Sequence, residues 1–373
     1  MRRLYQLAVL VIGCGLAPAQ TAPAFRSTEI LVDGRVTFRF FETHASRVEL
    51  LLENRAQPLA MQRDGAGVWS VTTPPLRPEI YGYRFRVDGS AKTVHDPQNQ
   101  SRRYGNDLLP VPGHPGQPWE EGGAPRGALT SHDYTTRIVN GLPGNKSEYM
   151  VYTPPGYDVK AKDAKAKPYP VLYLLHCWGD RPDSWARFGQ ASLIFDNLIA
   201  QHKAKPMVVV MPLGYGEMSF ADSYQWEDRA AVDRNLRLFE RALLEEVMPR
   251  VEAEFNIRRD AAGTGIMGAS MGGLESVAIG LNHGNRFGWV GAESTALKNQ
   301  DFAKLLSDFR PDDRSRRLIW MVCGRDDELA ESNRQMASWL GGKGATVALE
   351  QPEGTHSYII WREGLVRFAS MIF

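Results

Sequence analysis

The 373-residue chain has no excess charge of either sign: 44 Lys and Arg stand against 43 Asp and Glu. Nucleic-acid backbones and acidic membranes are bound through surplus positive charge, so nucleic acid is excluded as a partner class. Long apolar runs are also missing. The one hydrophobic stretch at the N-terminus, 7–12, is too short to span a bilayer, and no later stretch comes close. Internal repeats are absent, which excludes a solenoid. Cysteine is scarce, at three residues. Cys14 lies near the N-terminus. Cys177 and Cys323 each follow a different expected strand, and these strands are not neighbours in the fold argued below. Both are therefore expected as buried free thiols rather than a disulfide.

The chain has the apolar and charged fractions of an ordinary globular protein, 43% and 23%, and a length that suggests two domains. Met1-Arg2-Arg3, the apolar run and Ala17-Pro18-Ala19 have the order of a secretory signal peptide over residues 1–19, so a secreted or periplasmic location is expected. Val11-Ile12-Gly13-Cys14 also fits a lipoprotein box, in which Cys14 would be acylated. Residues 27–105 read as a small all-β, immunoglobulin-like sandwich. Tyr81-Gly82-Tyr83-Arg84-Phe85-Arg86-Val87 alternates with period two, and Asp64-Gly65 and Asp88-Gly89 supply turns. Residues 109–127 hold five Pro and five Gly, so 106–130 is assigned as a linker.

Residues 131–373 alternate strands with helices. The apolar runs 170–175, 206–211 and 317–323 have the character of parallel strands buried on both faces. Helices are expected over 192–204 and 234–255. This pattern is that of an α/β domain with a mostly parallel central sheet.

Gly268-Ala269-Ser270-Met271-Gly272 fits G-x-S-x-G, a short pattern that needs structural context in a chain of 35 glycines. The context is present. Thr264-Gly265-Ile266-Met267 is a strand candidate, and Leu274, Val277, Ala278 and Leu281 follow at helical spacing. Strand, tight turn and helix make a nucleophile elbow, with the Met271 amide aimed at the oxygen of a bound acyl group. Gly263, Gly265 and Gly268 also spell G-x-G-x-x-G, but they lie in and before the strand, so no dinucleotide site is expected. A serine needs a base and an orienting acid, in the order Ser, acid, His. Of the two later histidines, His283 ends the helix, which leaves His356 in Glu353-Gly354-Thr355-His356-Ser357 as the base. The acid is Asp326 or Asp327, just past the strand 317–323. With an unperturbed imidazole, activity is expected to rise through a pKa of roughly 6.5. His176-Cys177-Trp178-Gly179-Asp180 follows another strand, where such folds place the second oxyanion amide. His176 precedes Ser270, so it is assigned to shaping this loop and is carried as a candidate substrate contact. The loop 214–227 adds Tyr215, Phe220, Tyr224 and Trp226 as an aromatic surface for a phenolic ring.

These segments, with Tyr152-Thr153-Pro154-Pro155-Gly156-Tyr157, 174–180, 196–200, 208–216, 267–273, 323–329 and 356–365, resemble the esterase-D-like α/β-hydrolases of carbohydrate esterase family 1. The resemblance implies Ser270 as nucleophile, His356 as base, Asp327 as acid, and Met271 and Trp178 as oxyanion amides, with no metal or cofactor. It departs from the family at His176-Cys177, where His-Gly is usual; the bulkier residue could narrow the pocket. Residues 67–71 and 81–89 resemble an early-set, glycogen-binding-like sandwich. The implied function is a secreted serine ester hydrolase releasing feruloyl or acetyl groups from xylan. A catecholate siderophore esterase and a non-catalytic carbohydrate-binding protein are the alternatives. A basic cluster near the pocket, for which Arg181 and Arg187 are candidates, would favour the siderophore. The oligomeric state is left open.

Overall fold

The computed structural model describes residues 23–103, 105–158 and 167–373. The signal sequence expected over 1–19, with Cys14 in it, lies outside the described residues. Among the described residues no helix is long and apolar enough to cross a membrane.

Nine strands build the N-terminal sandwich: β1 (Thr28–Ile30), β2 (Val36–Phe41), β3 (Val48–Leu52), β4 (Leu59–Ala60), β5 (Gln62–Arg63), β6 (Val68–Thr72), β7 (Glu79–Val87), β8 (Arg102–Arg103) and β9 (Asn106–Val111). They form two antiparallel sheets, β1-β2-β6-β5 and β4-β3-β7-β9-β8. The period-two pattern sets the inward faces: Val36, Phe38 and Phe40 of β2 meet Tyr81, Tyr83 and Phe85 of β7. Phe38 and Tyr83 touch edge to face at 5.0 Å. Trp69, Tyr81 and Tyr83 are all at least 94% buried, so these aromatics belong to the core and not to a sugar-stacking surface.

The linker assignment needs correction. Asn106–Val111 pairs with β7 and completes the sandwich. Its Asp107, Leu109 and Val111 are buried in alternation. Pro110 is tolerated because the Leu108 amide, two residues earlier and on the same side, bonds Ser101 near the end of β8, and β8 does not reach further. The missing N–H therefore faces an open edge. The remaining 112–127 segment is packed rather than free: Trp119 is buried, and Asn197 Nδ2 donates to the Pro118 and Glu120 carbonyls at 2.9 Å each.

Eight strands form the second sheet: β10 (Ala128–Thr135), β11 (Lys146–Thr153), β12 (Val171–Leu175), β13 (Val208–Pro212), β14 (Thr264–Ala269), β15 (Trp289–Glu293), β16 (Leu318–Val322) and β17 (Ala348–Glu350). Their order is β10-β11-β13-β12-β14-β15-β16-β17, parallel from β13 onward. Alternate residues of β12 face opposite cores. Tyr173 and Leu175 pack with the helix Met271–Asn282 and the segment Arg229–Glu254, while Leu172 and Leu174 pack with the helices Ala191–Ala200 and Tyr358–Met371. This is the expected α/β-hydrolase arrangement. The helix expected over 234–255 starts earlier, where Asp228 accepts from the Ala230 and Ala231 amides, and it passes through a π turn over Ala242–Val247. Pro249 follows after Met248, and the widened turn accommodates a residue that cannot donate to the helical ladder.

The two domains are joined by a buried ion pair. Arg362 lies against Glu79 at 2.6 Å, both side chains 2% exposed, and also donates to the Ile80 and Phe188 carbonyls. Burial pushes the Glu79 carboxyl up to about 7 even with the guanidinium beside it. Arg362→Leu is expected to destabilise the protein by about 3–5 kcal/mol, since it strands a buried carboxyl and two carbonyls. A urea unfolding midpoint equal to that of the wild type would show the pair to be dispensable.

Candidate active site

The chain turns sharply between β14 and the helix Met271–Asn282, and Ser270 sits at the turn with φ 57° and ψ −109°. A non-glycine residue there stores strain of roughly 1–3 kcal/mol, so its surroundings must hold it. They do so through backbone bonds: the Ser270 amide donates to the Glu293 carbonyl at 2.8 Å, and the Leu274 and Ala296 amides donate to the Ser270 carbonyl at 3.0 and 3.1 Å. The flanking glycines are steric requirements. A Cβ on Gly272 would lie 2.5 Å from the Leu175 carbonyl oxygen, and one on Gly268 would lie 2.6 Å from Gly272. The elbow is thus pressed onto the end of β12. Met271 is the first residue of the helix, where an amide has no intrahelical acceptor and the helix dipole is positive.

Of the two candidate acids, Asp326 is exposed and Asp327 is buried. Asp327 Oδ2 accepts from His356 Nδ1 at 2.9 Å, and its Oδ1 accepts from the Leu329 amide at 2.9 Å. Burial would raise the Asp327 carboxyl, but the His356 bond, with the Leu329 amide and the Ser294 hydroxyl, holds it below the ordinary value. Burial would likewise lower His356. The Asp327 carboxylate and then the Cys177 side chain outweigh that and push the imidazole up to about 10. The expectation of an unperturbed imidazole is therefore corrected: a buried carboxylate on Nδ1 stabilises the cation. His283 caps the helix end as expected, with its Nε2 2.6 Å from Glu240.

Two of the expected substrate contacts are corrected. His176 is 1% exposed; its Nδ1 donates to the Cys177 carbonyl and its Nε2 accepts from the Gly214 amide, both at 2.8 Å. Burial depresses its pKa to about 4, which keeps this neutral tautomer. Tyr215 is also 1% exposed, and its hydroxyl accepts from the Gly179 amide at 2.6 Å. Both residues brace the loop 176–180 from beneath and do not reach a substrate. Trp178 in this loop is fastened by its indole N–H, which donates to the Phe220 carbonyl at 2.7 Å.

Cys177 and Cys323 are free thiols, as expected. Cys323 is buried, but Cys177 is only partly so, because it lines a cavity of about 500 Å³. That cavity joins Ser270, His356 and Cys177 to Trp178, Tyr224 and Trp226. Tyr224 meets the Trp178 ring edge to face at 5.6 Å, while Phe220 is buried behind Trp226. The sequence reading missed the rest of the lining: Glu227, Ala296, Lys298, Asn299, Glu328 and Leu329. These lie in irregular loops, where no periodicity marks which side chain turns inward. Two fully buried acids, Glu275 and Glu293, were missed as well. Burial raises both well above the ordinary carboxylate value.

The arrangement can activate a hydroxyl, orient its base and bind an oxyanion beside an aromatic cavity. Comparison with known proteins agrees with this chemistry. Residues 141–369 match the Esterase family model, and residues 25–98 match Carbohydrate-binding module 48, the isoamylase N-terminal domain. An endo-1,4-beta-xylanase/feruloyl esterase from Xylanibacter ruminicola is 29% identical over 327 residues, covering 84% of this chain. The chain spans 41% of that relative's length. Among solved structures, the enterobactin esterase of Shigella flexneri in the presence of enterobactin superposes with a TM-score of 0.68 at 20% identity, covering 90% of this chain and 92% of that one. A ferulic acid esterase from the anaerobic fungus Anaeromyces mucronatus gives 0.58 at 21% identity, covering 68% and 93%. At these identities the structural likeness is one of fold.

Proposed function

The chain belongs to the Esterase family, and on that premise we propose that it is a secreted serine carboxylic-ester hydrolase that releases feruloyl, or acetyl, groups from plant cell-wall xylan. The carrying observation is that the strained Ser270 and the Asp327-paired His356 open into one cavity with Trp178, Tyr224 and Trp226. In this reading Ser270 Oγ attacks the ester carbonyl while His356 Nε2 takes its proton, and Asp327 holds the Nδ1–H tautomer and stabilises the imidazolium. The Met271 and Trp178 amides receive the oxyanion. His356 then returns the proton to the leaving alcohol, and water activated by the same imidazole releases the acid. The name of the Xylanibacter ruminicola relative supports a feruloylated xylan.

The siderophore alternative is disfavoured by charge. An iron-bound catecholate is strongly anionic, yet the cavity carries Glu227 and Glu328 against one Lys298. Arg181 and Arg187 do not line it: the first faces Glu148 at 3.9 Å and the second lies over the Phe188 ring.

Release of ferulate and of acetate from arabinoxylan, measured side by side with Ser270→Ala as control, tests the proposal. Serine-dependent ferulate release is the expected result. If neither acid appears while simple aryl esters are cleaved, the xylan assignment falls. Tyr224 is 71% exposed and can be removed without disturbing the core. Tyr224→Ala is expected to raise KM for methyl ferulate by about 3–10-fold, the worth of one aromatic contact, and to leave KM for an aryl acetate unchanged. An equal rise for both esters would show that the ring does not hold the acyl group.

A further inference from the structure

His356 lies on a short loop, and its ring must stay aligned with Ser270 through each proton transfer. One side of this loop is fastened within the hydrolase domain. The Arg325 amide donates to the Pro352 carbonyl at 2.8 Å and the Asp326 amide to the Gly354 carbonyl at 2.9 Å, which ties the acid loop to the base loop. The other side is fastened by the sandwich. Asn54, just past β3, accepts through its side-chain oxygen from the Thr355 amide at 2.8 Å, one residue before the base. Three residues after the base, Ile359 is fully buried and packs into the sandwich core. Asn54 adopts φ 64°, a left-handed conformation that asparagine and glycine tolerate and that aims its short side chain outward from the sheet. Gly354 completes the fit, since a Cβ there would lie 2.9 Å from Asn54 Oδ1.

The sandwich also reaches the oxyanion loop. Tyr358 donates its hydroxyl to Asp180 Oδ2 at 2.9 Å, and the Arg103 guanidinium of β8 lies 4.1 Å from the Tyr358 ring centroid. Base loop and oxyanion loop are thus joined through one tyrosine covered by the N-terminal domain.

We propose that the N-terminal sandwich is a positioning element of the active site, and that Asn54 holds the His356 loop through the Thr355 amide. Asn54 touches no reacting atom, so its effect is on the geometry and ionisation of the base. This inference rests on the ester-hydrolase reading only for its kinetic readout.

The test uses the full chain with Asn54→Gly, which removes the acceptor at a backbone-compatible position, and Asn54→Asp, which keeps an acceptor there. Asn54→Gly is expected to lower kcat on an aryl acetate about tenfold, with KM within twofold of wild type and an unchanged urea midpoint; Asn54→Asp is expected to recover most of the loss. The histidine resonances of selectively labelled protein report the same contact without substrate. In Asn54→Gly the His356 titration is expected to move downward, as a looser loop weakens the bond to Asp327. A wild-type kcat together with an unmoved His356 titration in Asn54→Gly overturns the proposal, and so does a loss that Asn54→Asp does not recover. If the wild type cleaves no ester, or Ser270→Ala cleaves as well as wild type, the ester-hydrolase reading falls instead, and the His356 titration still decides the role of Asn54.

Discussion

Ser270→Ala is expected to lower kcat for any ester the protein cleaves by at least ~10⁴-fold while leaving the urea midpoint near that of the wild type. The size of the effect follows from the role: without the hydroxyl no acyl-enzyme forms, and only the oxyanion donors and substrate binding remain to favour direct attack by water. The fold should tolerate the change because Ser270 is held by its backbone, through the Glu293 carbonyl and the Leu274 and Ala296 amides. Loss of strain at a positive φ does not follow, since alanine is no better suited to it than serine; Ser270→Gly would relieve it and is expected to raise the midpoint. Residual activity above about a tenth of wild type in Ser270→Ala would place the nucleophile elsewhere.

Asp327→Asn is expected to lower the pH-independent kcat by about 10⁴-fold, because an amide in place of the carboxylate favours the wrong imidazole tautomer. It also changes the pH profile in a direction the structure sets. The base works only when neutral. The Asp327 carboxylate and the Cys177 side chain raise His356 above its ordinary value, so kcat/KM of the wild type should climb with pH through a limb displaced above the ordinary 6.5. Removing the carboxylate removes the largest of the raising causes, and the limb should fall back toward the ordinary histidine range. The companion group has the opposite sign: Asp327 is held below its ordinary value, so the stability it contributes is present above pH 3.8 and is lost as pH falls through its depressed value. A limb at the same pH in wild type and Asp327→Asn would dissociate this carboxylate from the base.

Much of the site was legible because its chemistry is written in local geometry. The elbow needs small residues where backbone meets backbone, and Gly268 and Gly272 stand where a Cβ would collide. Buried parallel strands need apolar residues on both faces, so β12, β13 and β16 announced themselves. Chain order then left one histidine free to act as base. The choice between Asp326 and Asp327 was not available from spacing, since both follow the same strand. Burial and the 2.9 Å bond to His356 separate them.

The errors have physical causes too. Strand β9 was hidden by the prolines around it, although its alternation was present; an edge position relieved Pro110 of the hydrogen bond it cannot make. Tyr215 and His176 have the composition of a binding loop, but a residue's type does not say which way its side chain turns. Both turn inward and hold the loop 176–180, Tyr215 through the Gly179 amide and His176 through the Gly214 amide.

What the sequence determined by itself, then, was what periodicity and steric need carry: a β-sandwich ahead of an α/β-hydrolase domain, with Ser270 and His356 as candidates for its site. What only the tertiary structure decided were the relations between distant segments. The bond between Asn54 and Thr355 spans 301 positions, and the pairing of Arg362 with Glu79 spans 283. No local pattern encodes such contacts, because each depends on how two surfaces far apart in the chain meet. The cavity, too, gathers Cys177, Tyr224, Ser270, Lys298, Glu328 and His356 from loops far apart in the chain.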